Sequence, residues 1–190
     1  MAQARWGVVV VAALAIGTSG CGYNTIQSQD EKVNQAQAQI QTQLQRRADL
    51  IPNLVAAVKG VAAQESTIFV SIAESRAKLS GAAKSGDIAA MAAANQQVSS
   101  DLSRLLVIAE AYPQLKSDQS FRDLQAQLEG TENRIAVART DYNAAVNEFN
   151  ATIRKFPVNL TAKIFSMDKA RAYFEAESGA QAVPKVDFSK

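Results

Sequence analysis

A chain of 190 residues has room for one packed domain and a short appendage, and its 47% hydrophobic content excludes a disordered chain. Its 20 basic and 18 acidic residues leave a net charge of +2, too weak a field to hold nucleic acid or to steer an anionic substrate. No histidine is present and cysteine occurs once, which removes the commonest general base and metal ligand and excludes an internal disulfide or a cysteine-based zinc site. No cofactor is expected.

The first element is an address. Arg5 precedes an apolar run, Trp6 to Ile16, that is too short for a bilayer needing about 20 residues but suits the core of a signal peptide. Thr18, Ser19 and Gly20 then lead to Cys21. The arrangement resembles a bacterial lipoprotein signal, in which the chain is cut before the cysteine and a palmitate-bearing lipid is attached at its sulfur. Thr18 departs from the aliphatic residue usual there. An uncleaved anchor extended through Ile26 and an ordinary free thiol are the alternatives. Cleavage would remove one basic group, leaving 19 basic against 18 acidic residues. By likeness to Gram-negative sorting signals, Gly22 in place of aspartate permits transfer to the outer membrane. The expected organisation is a signal peptide over 1–20, a tether over 21–27, a helical body over 28–177 and a loose tail over 178–190.

Within the body, Val33, Ala36, Ile40, Leu44, Ile51, Leu54, Val58 and Val61 recur three or four apart, which is one face of a helix. Glutamine at every odd position from 35 to 45 imitates strand alternation, but Ala, Gln and Leu favour helix. Pro52 predicts a kink, and Lys59-Gly60 reads as a helix end. A shorter helix follows from Glu65 to Leu79, closed by a loop from Ser80-Gly81 to Ser85-Gly86. Asp87 is a good N-cap for the next helix, whose stripe runs Ile88, Met91, Asn95, Val98, Leu102, Leu105, Ala109 and Tyr112 until Pro113. The longest helix opens near Ser117 or Asp118 and carries Phe121, Leu124, Leu128, Thr131, Ile135, Ala138, Tyr142, Ala145, Phe149, Thr152 and Phe156 inward until Pro157. Short connections between such helices predict an all-α, antiparallel up-and-down four-helix bundle. Leu160, Ile164, Phe165, Tyr173 and Phe174 predict a short C-terminal helix lying on it.

Few constellations carry chemistry. Arg46, Arg47, Asp49 and Asn53 crowd around Pro52, with Arg47 on the inner stripe, while Glu132 and Arg139 stand seven apart on the longest helix. Together they form a candidate polar cluster, read as a small-molecule or ion pocket, as interhelical ion pairing with Arg47 and Glu132 the expected pair, or as solvated arginines whose stems cover apolar surface. Glu65, Glu110 and Glu132 lack the histidines a di-iron bundle needs, so no metal site is expected. Asn150-Ala-Thr152 and Asn159-Leu-Thr161 match a glycosylation pattern by chance in a bacterial envelope protein. Tyr112, Tyr142 and Phe149 occupy core stripes. The alanines of AAMAAAN allow close helix approach, within the bundle or to a second copy in a homo-oligomer.

CGYNTIQ at 21–27, QLQRRADLIPNLVAAVKG at 43–60, AEAYPQLK at 109–116, the long stretch FRDLQAQLEGTENRIAVARTDYNAAVNEFNATIRKFP at 121–157 and Tyr173-Phe174 together resemble the LemA family. The resemblance implies an antiparallel helical bundle anchored to the bacterial envelope through its N-terminus, with the body periplasmic or otherwise extracytoplasmic. It brings no catalytic residues, so a non-enzymatic interaction or scaffold protein is expected. It implies envelope companions of two kinds, a TPM-domain protein and a membrane metallopeptidase.

Overall fold

The computed structural model describes the backbone of residues 2–175 and the side chains of residues 22–175, and the described residues contain helices and no strands. In chain order the helices are α1 (Ala2–Lys59), α2 (Ser66–Ser85), α3 (Ile88–Glu110), α4 (Pro113–Ser117), α5 (Gln119–Thr152) and α6 (Val158–Ile164). Four of them are long, as the stripes predict, and α6 is the short C-terminal one. The single turn α4 is new: Pro113 ends one helix and occupies the first turn of another, where its missing N–H costs nothing. The expected tail at 178–190 lies outside the described residues.

The helices fall into two compact units. The described part of the first comprises residues 2–40 and 137–173, that of the second residues 41–136 with 174 and 175. Both α1 and α5 contribute to each unit.

In the second unit Leu44, Ala48, Ile51, Leu54 and Val58 of α1 are buried with Ile68, Ile72 and Leu79 of α2, Met91, Val98 and Leu105 of α3, and Phe121 and Ile135 of α5. Helix α1 passes through Pro52 without stopping. Proline lacks the N–H that would bond the carbonyl four residues earlier, that of Ala48. The Arg76 Nε–H of α2 donates to this carbonyl at 2.8 Å. A side chain from the neighbouring helix thus satisfies the acceptor that proline leaves open, and the helix runs on to Lys59 before Gly60. Replacing Arg76 by leucine removes a charged donor from a partly buried carbonyl. Chemical denaturation should then show a loss of about 1.5 to 3 kcal/mol, with Pro52→Ala in the Arg76→Leu background recovering most of it.

The loop expected over 80–86 is absent. Helix α2 continues to Ser85 because Ala82 and Ala83 extend the buried stripe beyond Leu79, and Gly81 is exposed, with open space where its side chain would be. Tertiary burial outweighs the roughly 1 kcal/mol preference of glycine against helix. Only Gly86 and Asp87 connect α2 to α3. Gly86 adopts the left-handed conformation at φ 73°, which suits a residue without Cβ, and the Asp87 carboxylate accepts from the Ala90 N–H at 3.1 Å, the expected N-cap. On α3, the AAMAAAN stretch turns Met91, Ala94 and Asn95 inward.

In the first unit Ile26, Val33, Ala36 and Ile40 of α1 are buried, as are Ala138, Tyr142, Val146 and Phe149 of α5. Of the tether expected over 21–27, the residues with described side chains, 22–27, are helical. Ile26 is buried, and a Cβ on Gly22 would stand 3.4 Å from Thr161 Oγ1 and from a Val158 methyl. Two further expectations fail for one reason. Helix α5 stops at Thr152, and the turn over 153–157 resets the helical phase before α6 begins. Phe156 therefore leaves the core stripe and is exposed, and α6 turns Thr161 and Ala162 inward, not Leu160 or Ile164. Phe165 and Tyr173 are likewise exposed, whereas Phe174 is buried.

Candidate functional site

The six residues of the predicted polar cluster separate into distinct places. Arg46 and Arg47 are neighbours in sequence, so about 100° of helix rotation parts them. Arg47 faces inward and is only 5% exposed. It forms an ion pair with Glu132 of α5, donates from Nη1 to Asn95 Oδ1 at 2.6 Å and from Nη2 to Ser99 Oγ at 3.1 Å, both on α3. Three helices of the second unit are thereby tied through one guanidinium. Its Nε is buried without a partner. Burial pushes the Arg47 pKa down, and the charge of Glu132 and its hydrogen bond oppose that shift.

Arg46 and Asp49 point the other way. They line an open surface groove with Gln41, Gln45 and Lys84, in which the Gln45 amide donates to Asp49 Oδ1 at 2.8 Å. Asn53 is exposed on the turn after Pro52. Arg139 lies in the part of α5 that belongs to the first unit. The side chain of Cys21 lies outside the described residues. Glu65 and Glu110 are exposed at helix ends, and no group of three or more potential metal ligands occurs among the described residues.

Three features escaped the sequence reading. Asn95 stands among the apolar residues of the α3 stripe, and its Oδ1 is an acceptor for Arg47. Asp101 of α3 is fully buried, accepting at Oδ1 from Ser71 Oγ at 3.0 Å and Gln97 Nε2 at 3.2 Å, while Oδ2 has no partner. The series Met91, Ala94, Val98, Asp101 and Leu105 keeps helical spacing, so this burial was visible in principle.

The third feature is a latch in the first unit. The Asn150 side chain donates from Nδ2 to the Arg171 carbonyl at 3.0 Å and accepts the Arg171 N–H at Oδ1, 2.8 Å away. An amide side chain thus pairs with the backbone N–H and C=O of one residue, as a neighbouring strand would. Tyr142 donates its hydroxyl to the Ala172 carbonyl at 2.8 Å. Arg171 donates from Nη2 and Nε to Asp30 Oδ1 of α1 at 2.6 and 3.1 Å. Burial raises the Tyr142 pKa, with the positive charge of Arg171 acting against it. Asn150, first residue of a chance glycosylation pattern, is therefore buried and committed.

Comparison with known proteins bears on both units. Magnetosome proteins MamQ 2 and MamQ 1 of Paramagnetospirillum magneticum (strain ATCC 700264 / AMB-1) are each 28% identical to this chain, and MamQ of Magnetospirillum gryphiswaldense (strain DSM 6361 / JCM 21280 / NBRC 15271 / MSR-1) is 26% identical. Each alignment covers 83% of this chain and 66% of the relative, so the chain spans just under two thirds of the length of these relatives. Residues 36–188 match the LemA family, a span that takes in the Arg47 cluster, the groove and every residue of the latch but Asp30. With the all-helical fold and the motifs from Gln43 to Pro157, this places the chain in the LemA family.

Proposed function

We propose that the chain is a non-catalytic helical scaffold of the bacterial cell envelope, held at the membrane by its N-terminal segment, with its body extracytoplasmic. The observation that carries this reading is the use made of the buried charge. Arg47, the one buried cation among the described residues, gives both terminal nitrogens to groups of its own fold. A guanidinium so engaged holds helices together and is not presented to a substrate. Kinship with proteins named for the magnetosome supports a structural role over a reaction. The apolar run from Trp6 to Ile16 and the junction at Cys21 support membrane attachment, through a lipid on Cys21 or an uncleaved anchor. Among the described residues no helix is long and apolar enough to cross a membrane, and that run precedes the side chains described. The partners that fit are envelope proteins, a TPM-domain protein or a membrane metallopeptidase.

A second reading has one observation in its favour, the groove that gathers Arg46, Asp49 and Lys84. Mixed charge around an open depression suits a small polar ligand. Thermal-shift measurements on the purified chain against a panel of small polar metabolites and ions discriminate the two. The scaffold reading expects no shift. A ligand-induced rise in melting temperature that disappears in the Arg46→Ala/Asp49→Ala variant would replace it with a binding protein. Both side chains are exposed, so this variant keeps its fold.

A further inference from the structure

Exposed large apolar side chains are unevenly distributed. Among the described residues eight are exposed: Val70, Val107 and Val137 stand singly on long helices, whereas Phe156, Leu160, Ile164, Phe165 and Tyr173 fall within one short stretch of the first unit. Single exposed apolar residues are ordinary, but a contiguous set marks an interaction surface. Leu160 and Ile164 are spaced four apart on α6 and so share one side of it, and Phe156 is exposed in the turn just before the helix begins. Leu160 and Ile164 form an exposed row on α6, 52 and 73% exposed, preceded by Phe156 at 80%. The opposite side of α6 is occupied, since Thr161 and Ala162 are buried.

Two observations say what covers this row. The first is charge. From Arg154 to Lys169 the chain carries Arg154, Lys155, Lys163 and Lys169 against the single acid Asp168, all exposed. The near-neutral chain thus concentrates a net +3 around its most exposed apolar side chains. Apolar residues flanked by lysine and arginine are the composition of a helix lying in the interface of an anionic bilayer. The second is position. Val158 and Thr161 of α6 meet Gly22, and the Tyr23 ring packs on Phe165 with centroids 4.8 Å apart. The row is thereby fastened beside the residue that follows Cys21, where the membrane-directed segment enters the fold.

We infer that α6 and its flanks form a second membrane contact, with Phe156, Leu160, Ile164 and Phe165 inserted among the headgroups of anionic phospholipids and the surrounding basic side chains paired with their phosphates. The contact fixes the first unit against the bilayer surface beside the N-terminal attachment. It rests on the membrane-anchored reading, and the test keeps the two apart.

The full chain, in which Trp6 is the only tryptophan, is made as Trp6→Phe/Ile164→Trp and reconstituted into phosphatidylcholine vesicles with and without phosphatidylglycerol, using acyl chains brominated near the headgroup. Flotation reports attachment, and fluorescence reports the introduced indole. The expected result is flotation with a blue-shifted emission that brominated lipid largely quenches when phosphatidylglycerol is present. Trp6→Phe/Val107→Trp, carrying its indole on an isolated exposed site of α3, should float unquenched. Adding Lys155→Glu and Lys163→Glu to the first variant should abolish quenching without abolishing flotation. A chain that fails to float removes the anchored reading and this one together. A floated chain whose indole at position 164 is exposed to water, or is shielded but unquenched as beneath a second copy, overturns the contact alone; so does equal quenching at positions 107 and 164.

Discussion

Replacing Arg47 with glutamate lowers the stability of the chain by about 4 kcal/mol, because it removes the partner of Glu132 and puts a second carboxylate into a space built for a cation. For a chain of this size that is a fall of roughly 8 to 16 °C in melting temperature, followed by far-UV circular dichroism. Adding Glu132→Arg returns part of the loss. Recovery is incomplete because Asn95 Oδ1, an acceptor for Arg47, must turn its amide to face a carboxylate, and glutamate is shorter than arginine. Two independent, additive losses would dismiss the coupling. The pair is not symmetric: Arg47 is buried, while the Glu132 side chain is half exposed. Glu132→Ala leaves a buried guanidinium with only neutral acceptors, whereas a change at Arg47 leaves a carboxylate that water reaches. Replacing the buried members together by apolar groups, as in Arg47→Met/Asn95→Leu, should cost far less than the charge reversal.

The second large effect concerns the latch. Asn150→Leu leaves the backbone N–H and C=O of Arg171 unpaired in a partly buried place, at a cost of about 2 to 4 kcal/mol by the usual penalty for unsatisfied partners. The loss is local in character. Hydrogen exchange at Arg171 and its neighbours should accelerate, and trypsin should cut after Lys169 or Arg171 while the helices remain protected. Asn150→Asp keeps the acceptor for the Arg171 N–H and loses only the donor, so it should fall between wild type and leucine. Unchanged protection of residues 170–173 in Asn150→Leu would show that Asp30 and Tyr142 hold the segment without Asn150.

What was legible in the sequence was the part of the fold written in local periodicity. Val33, Ile40, Leu44, Ile51, Leu54 and Val58 recur at helical spacing and all are buried, and Asp87 caps the helix it introduces. The Arg47–Glu132 pair was legible too, because a cation on an inward stripe needs a partner and few acids were placed to supply one. Gly81 misled, since its weak local preference against helix is overruled by the burial of Ala82 and Ala83, which no single-residue scale contains. The face of α6 misled because a turn erases helical phase, and no periodicity survives across residues 153–157. Other features depend on partners distant along the chain. Arg76 answers Pro52 from another helix, Asn150 meets a peptide 21 residues further on, and Asn95 becomes intelligible only beside Arg47. Polar residues of this kind carry no spacing signature of their own.

The helical packing of residues 22–27 has a mechanical consequence for a chain held by its N-terminus. Seven residues of free coil, 21–27, could reach up to roughly 23 Å, enough slack for a domain to drift and turn on its leash. As helix the same residues advance only about 10 Å, and the packing of Gly22 on α6 and the burial of Ile26 take up what freedom is left. A pull on the N-terminus then loads side-chain packing in shear from the first residues, and a twist there is transmitted as torque along α1. The first unit therefore has no slack at residues 22–27, and a displacement applied there is delivered to it as force without an intervening spring.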